Sequence, residues 1–346
     1  MHVKDLRYVL GCLPPPVSFL GLYLGGWGSP GLLYFELILV PVIELFVPAS
    51  VFNEPESQLQ QKSGIRFYDF LLYLQVPMLY GTLAYFIYQF NHAGWTPAEL
   101  VFSILNIGML IGVSGINVAH ELGHRAPAFD RWMSRLLLLP AFYSHYTLEH
   151  NYGHHLNVGT PEDPATARKN ETLYAFHFRS IYKSYLNAWA IGTKMLKAKN
   201  RPMWMHELIW LHVVQLMYAS IIFAYAGFGG VITLFLAGCA GVLILETVNY
   251  IEHYGLLRKK LASGRYEPMS DIHSWNSNHE IGRAMLFELV RHADHHYQTT
   301  RKYQALRHRE KSPQLPFGYP MSILLAMIPP LWFRIMNPRV EALQSQ

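Results

Sequence analysis

Nine histidines stand in four short clusters: His120 and His124 in HELGH, His150, His154 and His155 in HNYGHH, His253 in NYIEHYG, and His292, His295 and His296 in HADHH. Imidazole is the commonest metal ligand in proteins and suits iron, zinc and copper. Spacings of three or four residues stack side chains on one helix face, so each multi-histidine cluster can aim two nitrogens at one point. Nine such residues exceed what one ion needs. The arithmetic favours two metal ions, or one ion and several idle histidines. A histidine taken singly is an ordinary surface or core residue, and His2, His92, His177, His206, His212 and His308 are read that way.

HELGH matches the HExxH pattern of zinc peptidases, in which two histidines bind zinc and the glutamate is the general base. That reading uses one cluster and leaves HNYGHH and HADHH unexplained. Two metals held largely by neutral imidazole suggest iron and dioxygen chemistry instead, because iron cycles between oxidation states and zinc does not. The Glu-rich four-helix pattern of soluble di-iron proteins is missing. The only cysteines, Cys12 and Cys239, lie in apolar runs and build no disulfide framework, CxxC site or iron–sulfur centre. An electron-carrier domain must therefore be a separate protein.

The elements that position these clusters are membrane helices. Of the 346 residues, 51% are hydrophobic and 15% charged, against about 25% charged in average soluble proteins. Six apolar stretches approach the length of about 20 residues that crosses a bilayer: residues 8–26, 31–52, 68–90, 98–119, 207–227 and 229–251. Pro14, Pro15 and Pro16 kink the first or start it. The N-terminal MHVKDLR is followed by no clear small-residue cleavage site, so this stretch reads as a span and not as a removed signal peptide. A seventh run, Tyr319 to Met336, carries Pro320, Pro329 and Pro330 and reads as a re-entrant or surface segment.

Lys and Arg are absent from residues 8–61, 67–124 and 202–257 and cluster in 1–7, 62–66, 125–201 and 258–311. By the positive-inside rule the basic segments are cytoplasmic, which gives six spans with both termini inside. All nine histidines then fall on the cytoplasmic side. The expected fold is all-α: one membrane domain, residues 1–346, with about six transmembrane helices under a cytoplasmic His-rich helical cap. Nucleic-acid binding is not expected, because the basic residues form no dedicated domain. Gly108, Gly112 and Gly115 in the fourth span serve close helix packing or leave room for a narrow substrate path.

The clusters HELGH, EHNYGHH, NYIEHYGLLR and LVRHADHH resemble those of the integral-membrane alkane 1-monooxygenases. TPEDPATAR (160–168), HSWNSNH (273–279) and LPFGYP (315–320) are also similar to that family. The likeness covers roughly residues 30–340. NYIEHYG separates this family from the broader membrane fatty-acid desaturases and hydroxylases; xylene monooxygenases share much of the pattern. The resemblance implies a non-haem di-iron centre in the bacterial inner membrane. Such a centre places one oxygen atom of O2 on the terminal carbon of a medium-chain alkane and reduces the other to water. It also implies electrons from a rubredoxin, itself reduced by an NAD(P)H-dependent reductase, and ligand roles for all nine histidines, with no catalytic residue beyond the metal centre.

Metal-bound imidazoles usually donate their other N–H to a carboxylate or carbonyl. Glu121, Glu149, Glu252 and Asp294 neighbour ligand histidines, and Asp163, His273 and His279 lie in the family-like segments. All seven are candidates for supporting the centre, with His279 a candidate tenth ligand. Arg168, Lys169, Arg258, Lys259, Lys260, Arg301 and Lys302 are candidates for docking an acidic electron donor. In the second span, Leu33 to Leu39 approximately matches a family region that limits substrate length, and Glu36 inside it departs from the usual bulky apolar residue. The runner-up activity is fatty-acyl desaturation or hydroxylation; an intramembrane zinc protease and a purely structural membrane protein are the readings from other classes.

Overall fold

The computed structural model describes residues 3–345, so His2 lies outside the described residues. Among these the regular structure is helical, accompanied by isolated β-bridges. The chain forms two compact units. One holds the described residues up to Leu39 with Ile65–Leu148 and Ala188–Leu245; the other holds Val40–Gly64, Glu149–Asn187 and the described residues from Glu246 onward.

The first unit is built on long apolar helices. Arg66–His92, Pro97–Gly123 and Glu207–His253 are each long and apolar enough to cross a membrane. The 47 residues of Glu207–His253 would measure about 70 Å if straight, more than twice the hydrocarbon thickness. The helical path breaks at Gly227, with φ 63° and ψ −168°, where a side chain would be strained. That break falls where the sequence leaves a gap between two spans. Leu216, Ile221, Phe223 and Phe228 are exposed along this helix, as expected of a surface covered by lipid.

Helix Pro97–Gly123 is the most enclosed of the three. It starts at a capping box between Thr96 and Glu99. A Cβ on Gly108 would come within 2.4 Å of the Ala240 Cβ, and one on Gly112 within 3.2 Å of Ile244; one on Gly115 would meet the Leu137 carbonyl at 3.2 Å. The glycines therefore serve close packing, and neighbouring atoms fill the room that a substrate path would have needed.

The first two predicted spans are not continuous α-helices. The first is a 3-10 segment Val3–Cys12 followed by an α-helix Pro14–Leu24, so the prolines start a helix. The second is α-helical at Gly31–Tyr34, π-helical at Phe35–Leu39 and α-helical again at Val40–Glu44. It ends there, not at residue 52: Pro48 restrains the residue before it from helical geometry, and residues 46–52 are non-helical. Asn106 joins the two inside the first unit, accepting from the Leu32 N–H and donating to the Ser18 carbonyl, both at 3.0 Å. In lipid such backbone groups must be satisfied internally.

The second unit is organised around an aromatic core that includes Phe176, Tyr250, Tyr254, Trp275 and Trp332. Two of its polar tips reach backbone carbonyls: Trp275 donates to the Tyr254 carbonyl at 2.9 Å and the Tyr250 hydroxyl to the Glu171 carbonyl at 2.6 Å. Tyr250 and Tyr254 flank His253 on the end of its helix, so the core fixes that histidine. The proline-rich run folds as Tyr319–Ala326 and Pro329–Gln344, bent by 118°.

Candidate metal centre

Sequence spacing alone suggests an ordinary helix for HNYGHH, but His150–His154 is a π turn. The wider turn brings the His150 and His154 rings into a stack 5.1 Å apart, and π turns recur at functional sites. HADHH forms the short helix His292–Tyr297, whose i, i+3 and i+4 positions share one face. His292, His295 and His296 are all buried.

The structure sorts the seven motif histidines of the second unit into two groups. His154, His253, His292 and His296 each offer a nitrogen, and these atoms all lie within 4.8 Å of one another. The Nε2 of His296 lies 2.9 Å from that of His292 and 3.3 Å from that of His154; the Nε2 of His253 lies 3.2 Å from that of His292. His155 Nε2 lies 3.0 Å from His150 Nε2 and 3.2 Å from His295 Nε2. In the first unit, His120 and His124 meet edge to face with ring centroids 4.9 Å apart.

Lone pairs pointed at one another this closely in a dry interior require a shared proton or a cation. A metal ion fits this donor set: neutral nitrogens converge from three separate elements and are buried from water. Burial, together with His292 and His155, holds His296 well below the ordinary histidine range, which keeps its lone pair available. His154 departs the other way. Burial opposes its charge, but the Asp163 carboxylate, with Glu149 and Glu252 adding to it, raises it.

Asp163 lies 3.0 Å from His154 Nδ1 and accepts from the Thr166 hydroxyl at 2.6 Å and the Ala165 N–H at 3.1 Å. Burial would raise Asp163, but His154 and Thr166 hold it below the usual carboxylate range. His253 Nδ1 lies 3.4 Å from the His273 carbonyl, which directs Nε2 into the group. Glu252 flanks the group differently, with Oε2 3.3 Å from His292 Nε2 and Oε1 accepting from the Tyr319 hydroxyl at 2.7 Å.

The other supporting candidates go elsewhere. Glu121 accepts twice from Arg125, which also binds Asp69; its ion-paired carboxylate is a poor general base for a peptidase. Glu149 accepts from Asn187 at 2.9 Å and is pushed up to about 8 by burial, with Asp163 adding to the effect. Asp294 accepts from Arg301 and from the Arg307 N–H, both at 2.9 Å. The His273 ring binds Ser270 and Glu267, so its carbonyl and not its imidazole reaches the centre. His279 Nδ1 lies 3.0 Å from the Ser277 hydroxyl, and His279 belongs to neither histidine group.

Sequence reasoning passed over Thr166, Tyr319, Glu288 and Arg291. Thr166 and Tyr319 lie in the family-like stretches, which was the available signal. Glu288 forms buried ion pairs with Arg283 at 2.8 Å and with Arg291 at 3.5 Å. Arg291 also donates to the Phe52 and Leu306 carbonyls, both at 3.0 Å. Phe287 and Glu288 both have positive φ, a strained turn held by these bonds. The result fixes the start of the helix that carries His292, His295 and His296.

The fatty acid desaturase family model matches residues 93–323, the stretch that contains all four clusters. The alkane 1-monooxygenase of Pseudomonas putida is 37% identical over 97% of this chain and 85% of its own length. The chain belongs to the alkane 1-monooxygenase family. Alkane 1-monooxygenase 1 of Alcanivorax borkumensis is likewise 37% identical over 97% of this chain and 85% of its own length. The hydroxylase component of the xylene/toluene monooxygenase of Pseudomonas putida is 29% identical over 96% of this chain and 88% of its own length. The protein is thus a monooxygenase, and its apolar helices make it a membrane protein.

Proposed function

We propose that this protein hydroxylates the terminal carbon of medium-chain linear alkanes at a non-haem di-iron centre held by His120, His124, His150, His154, His155, His253, His292, His295 and His296. The observation that carries the reading is the four-histidine group, whose buried nitrogens converge within 4.8 Å. His150, His155 and His295 begin a second group, which His120 and His124 complete by ligand count: the first group already has four donors. Bound iron supplies the redox chemistry that activates O2, one atom entering the C–H bond and the other leaving as water.

The chain's own residues hold and shield that chemistry. Asp163 and the His273 carbonyl orient two of the rings, and the two nearby carboxylates, Asp163 and Glu252, balance metal charge that neutral imidazoles do not. The aromatic core keeps water from the four-histidine group. Two external electrons are needed per turnover, and neither cysteine forms a redox site. A rubredoxin, reduced by its NAD(P)H-dependent reductase, supplies them from the cytoplasmic face. Six spans in the bacterial inner membrane, with both termini cytoplasmic, place the centre on that side.

Among the basic docking candidates, Arg258 is bound to the Glu267 and Leu156 carbonyls and Arg301 to Asp294. Lys259, Lys260 and Arg168 are exposed and better suited to meet an acidic donor. The test is O2-dependent conversion of octane to 1-octanol with rubredoxin supplied, alongside metal analysis. Two irons per chain and alcohol product are expected. One zinc per chain, or no alcohol from any linear alkane, overturns the reading.

A further inference from the structure

The connection between helix Leu173–Ala198 and helix Glu207–His253 carries a cavity of about 320 Å³. Leu148, Met195, Leu196 and Met205 give it apolar walls, and Lys199 and Arg201 line it as well. Its shape is set by packing. A Cβ on Gly192 would come within 2.4 Å of the His206 ring, so glycine lets the connection close onto the helix. His206 is fully buried, stacks on Trp189 at 4.4 Å between ring centroids, and accepts from the Leu208 N–H at 3.2 Å. Asn200 turns the chain at φ 50°, and the Arg201 N–H closes the helix end on the Leu196 carbonyl at 3.0 Å.

The charge in this cavity is cationic. Glu207, its one lining carboxylate, is ion-paired with Arg135. Arg201 reaches the Met205 sulfur at 4.0 Å, and among the described residues no carboxylate pairs with Lys199 or Arg201. Depth in the membrane follows from the neighbouring aromatics. Trp204 and Trp210 are 63% and 55% exposed and are joined by a hydrogen bond from the Trp210 indole to the Trp204 carbonyl at 3.1 Å. Exposed tryptophans at the start of a long apolar helix mark the membrane–water interface. The two cations therefore stand at headgroup level, beside apolar walls.

We propose that this cavity binds one anionic phospholipid, with its phosphate on Lys199 and Arg201 and its acyl chain along Leu148, Met195 and Met205. Two unneutralised cations favour an anionic headgroup over a zwitterionic one. The apolar walls favour a lipid over free phosphate. The site does not depend on the reaction carried out at the metal centre.

Native mass spectrometry of the full-length protein in detergent tests this, with dioleoylphosphatidylglycerol, dioleoylphosphatidylcholine and inorganic phosphate as probes. One phosphatidylglycerol should bind more tightly than phosphatidylcholine, and millimolar phosphate should not displace it. Lys199→Gln with Arg201→Gln should weaken phosphatidylglycerol roughly twenty-fivefold, about a factor of five per basic residue. Lys311→Gln with Arg339→Gln removes the same charge from exposed positions elsewhere and should leave binding unchanged. Met195→Trp keeps the charge and fills the cavity, so it too should lose the lipid, which covers the case of a charge variant that does not fold. Unchanged affinity in both cavity variants, equal weakening by the distant pair, or displacement by phosphate overturns the proposal.

Discussion

In the four-histidine group, His154 is held from behind by Asp163 and His253 by the His273 carbonyl, and all four rings are buried. In the three-histidine group, His150 and His155 come from the π turn and the residue that follows it, and His155 is partly exposed. In the first arrangement outer partners set two of the four ring orientations before any ion arrives, and burial encloses all four. The second is less enclosed, because His155 is partly exposed. A metal site preorganised by outer partners binds more tightly, so the two groups should differ in metal retention although both are built of imidazole.

The largest expected effect comes from removing a ring of the preorganised group. His154→Ala or His296→Ala should abolish hydroxylation and halve the iron from two per chain to one, by elemental analysis. His155→Ala should also abolish activity, but should empty the other site; Mössbauer or absorption spectra of the two variants should therefore differ. Identical residual spectra would show that the histidines do not divide as proposed.

Asp163→Asn comes next. It keeps the shape but removes the charge behind His154, and iron affinity should fall roughly 10–100-fold. Chelator titration of wild-type protein should release iron in two phases, with the three-histidine site emptying first. Asp163→Asn should move the second phase toward the first. A single phase in both proteins would remove the distinction drawn between the two groups.

Glu121→Gln should have a smaller effect. Its carboxylate binds Arg125, so alkane hydroxylation should drop only partially, whereas a peptidase would lose all turnover with its general base. The smallest effect concerns the donor surface. Lys259→Glu with Lys260→Glu should raise the apparent Michaelis constant for rubredoxin severalfold and leave that for alkane unchanged. Rising salt should weaken wild-type turnover at limiting rubredoxin as the Debye length falls below about 10 Å. Indifference to both would place docking on another surface.

A control outside the metal groups sharpens the comparison. A Cβ on Gly318 would lie 1.9 Å from the Glu44 carboxylate. Gly318→Ala should displace that buried carboxylate from the Gly282 N–H and cost about 1–3 kcal/mol of stability without changing iron stoichiometry.

The sequence by itself determined which residue type gathers at the site, the helical class and the apolar helices long enough to cross a membrane. Those properties are local: imidazole chemistry, composition and the length of apolar runs are written residue by residue. The gap near residue 228 and the broken proline-rich run near residue 329 were also legible, because glycine and proline act on their own backbone. Tertiary structure decided the rest. It ended the second helix at Glu44, turned HNYGHH into a π turn and chose the His273 carbonyl over its ring. It bound Asp294 and Glu121 to arginines and left Asp163 facing His154. Each of those outcomes is a competition among partners far apart in the chain, settled by which groups burial brings within hydrogen-bond reach. Spacing along a sequence cannot settle such a competition, because adjacency to a ligand does not fix the direction in which a side chain points.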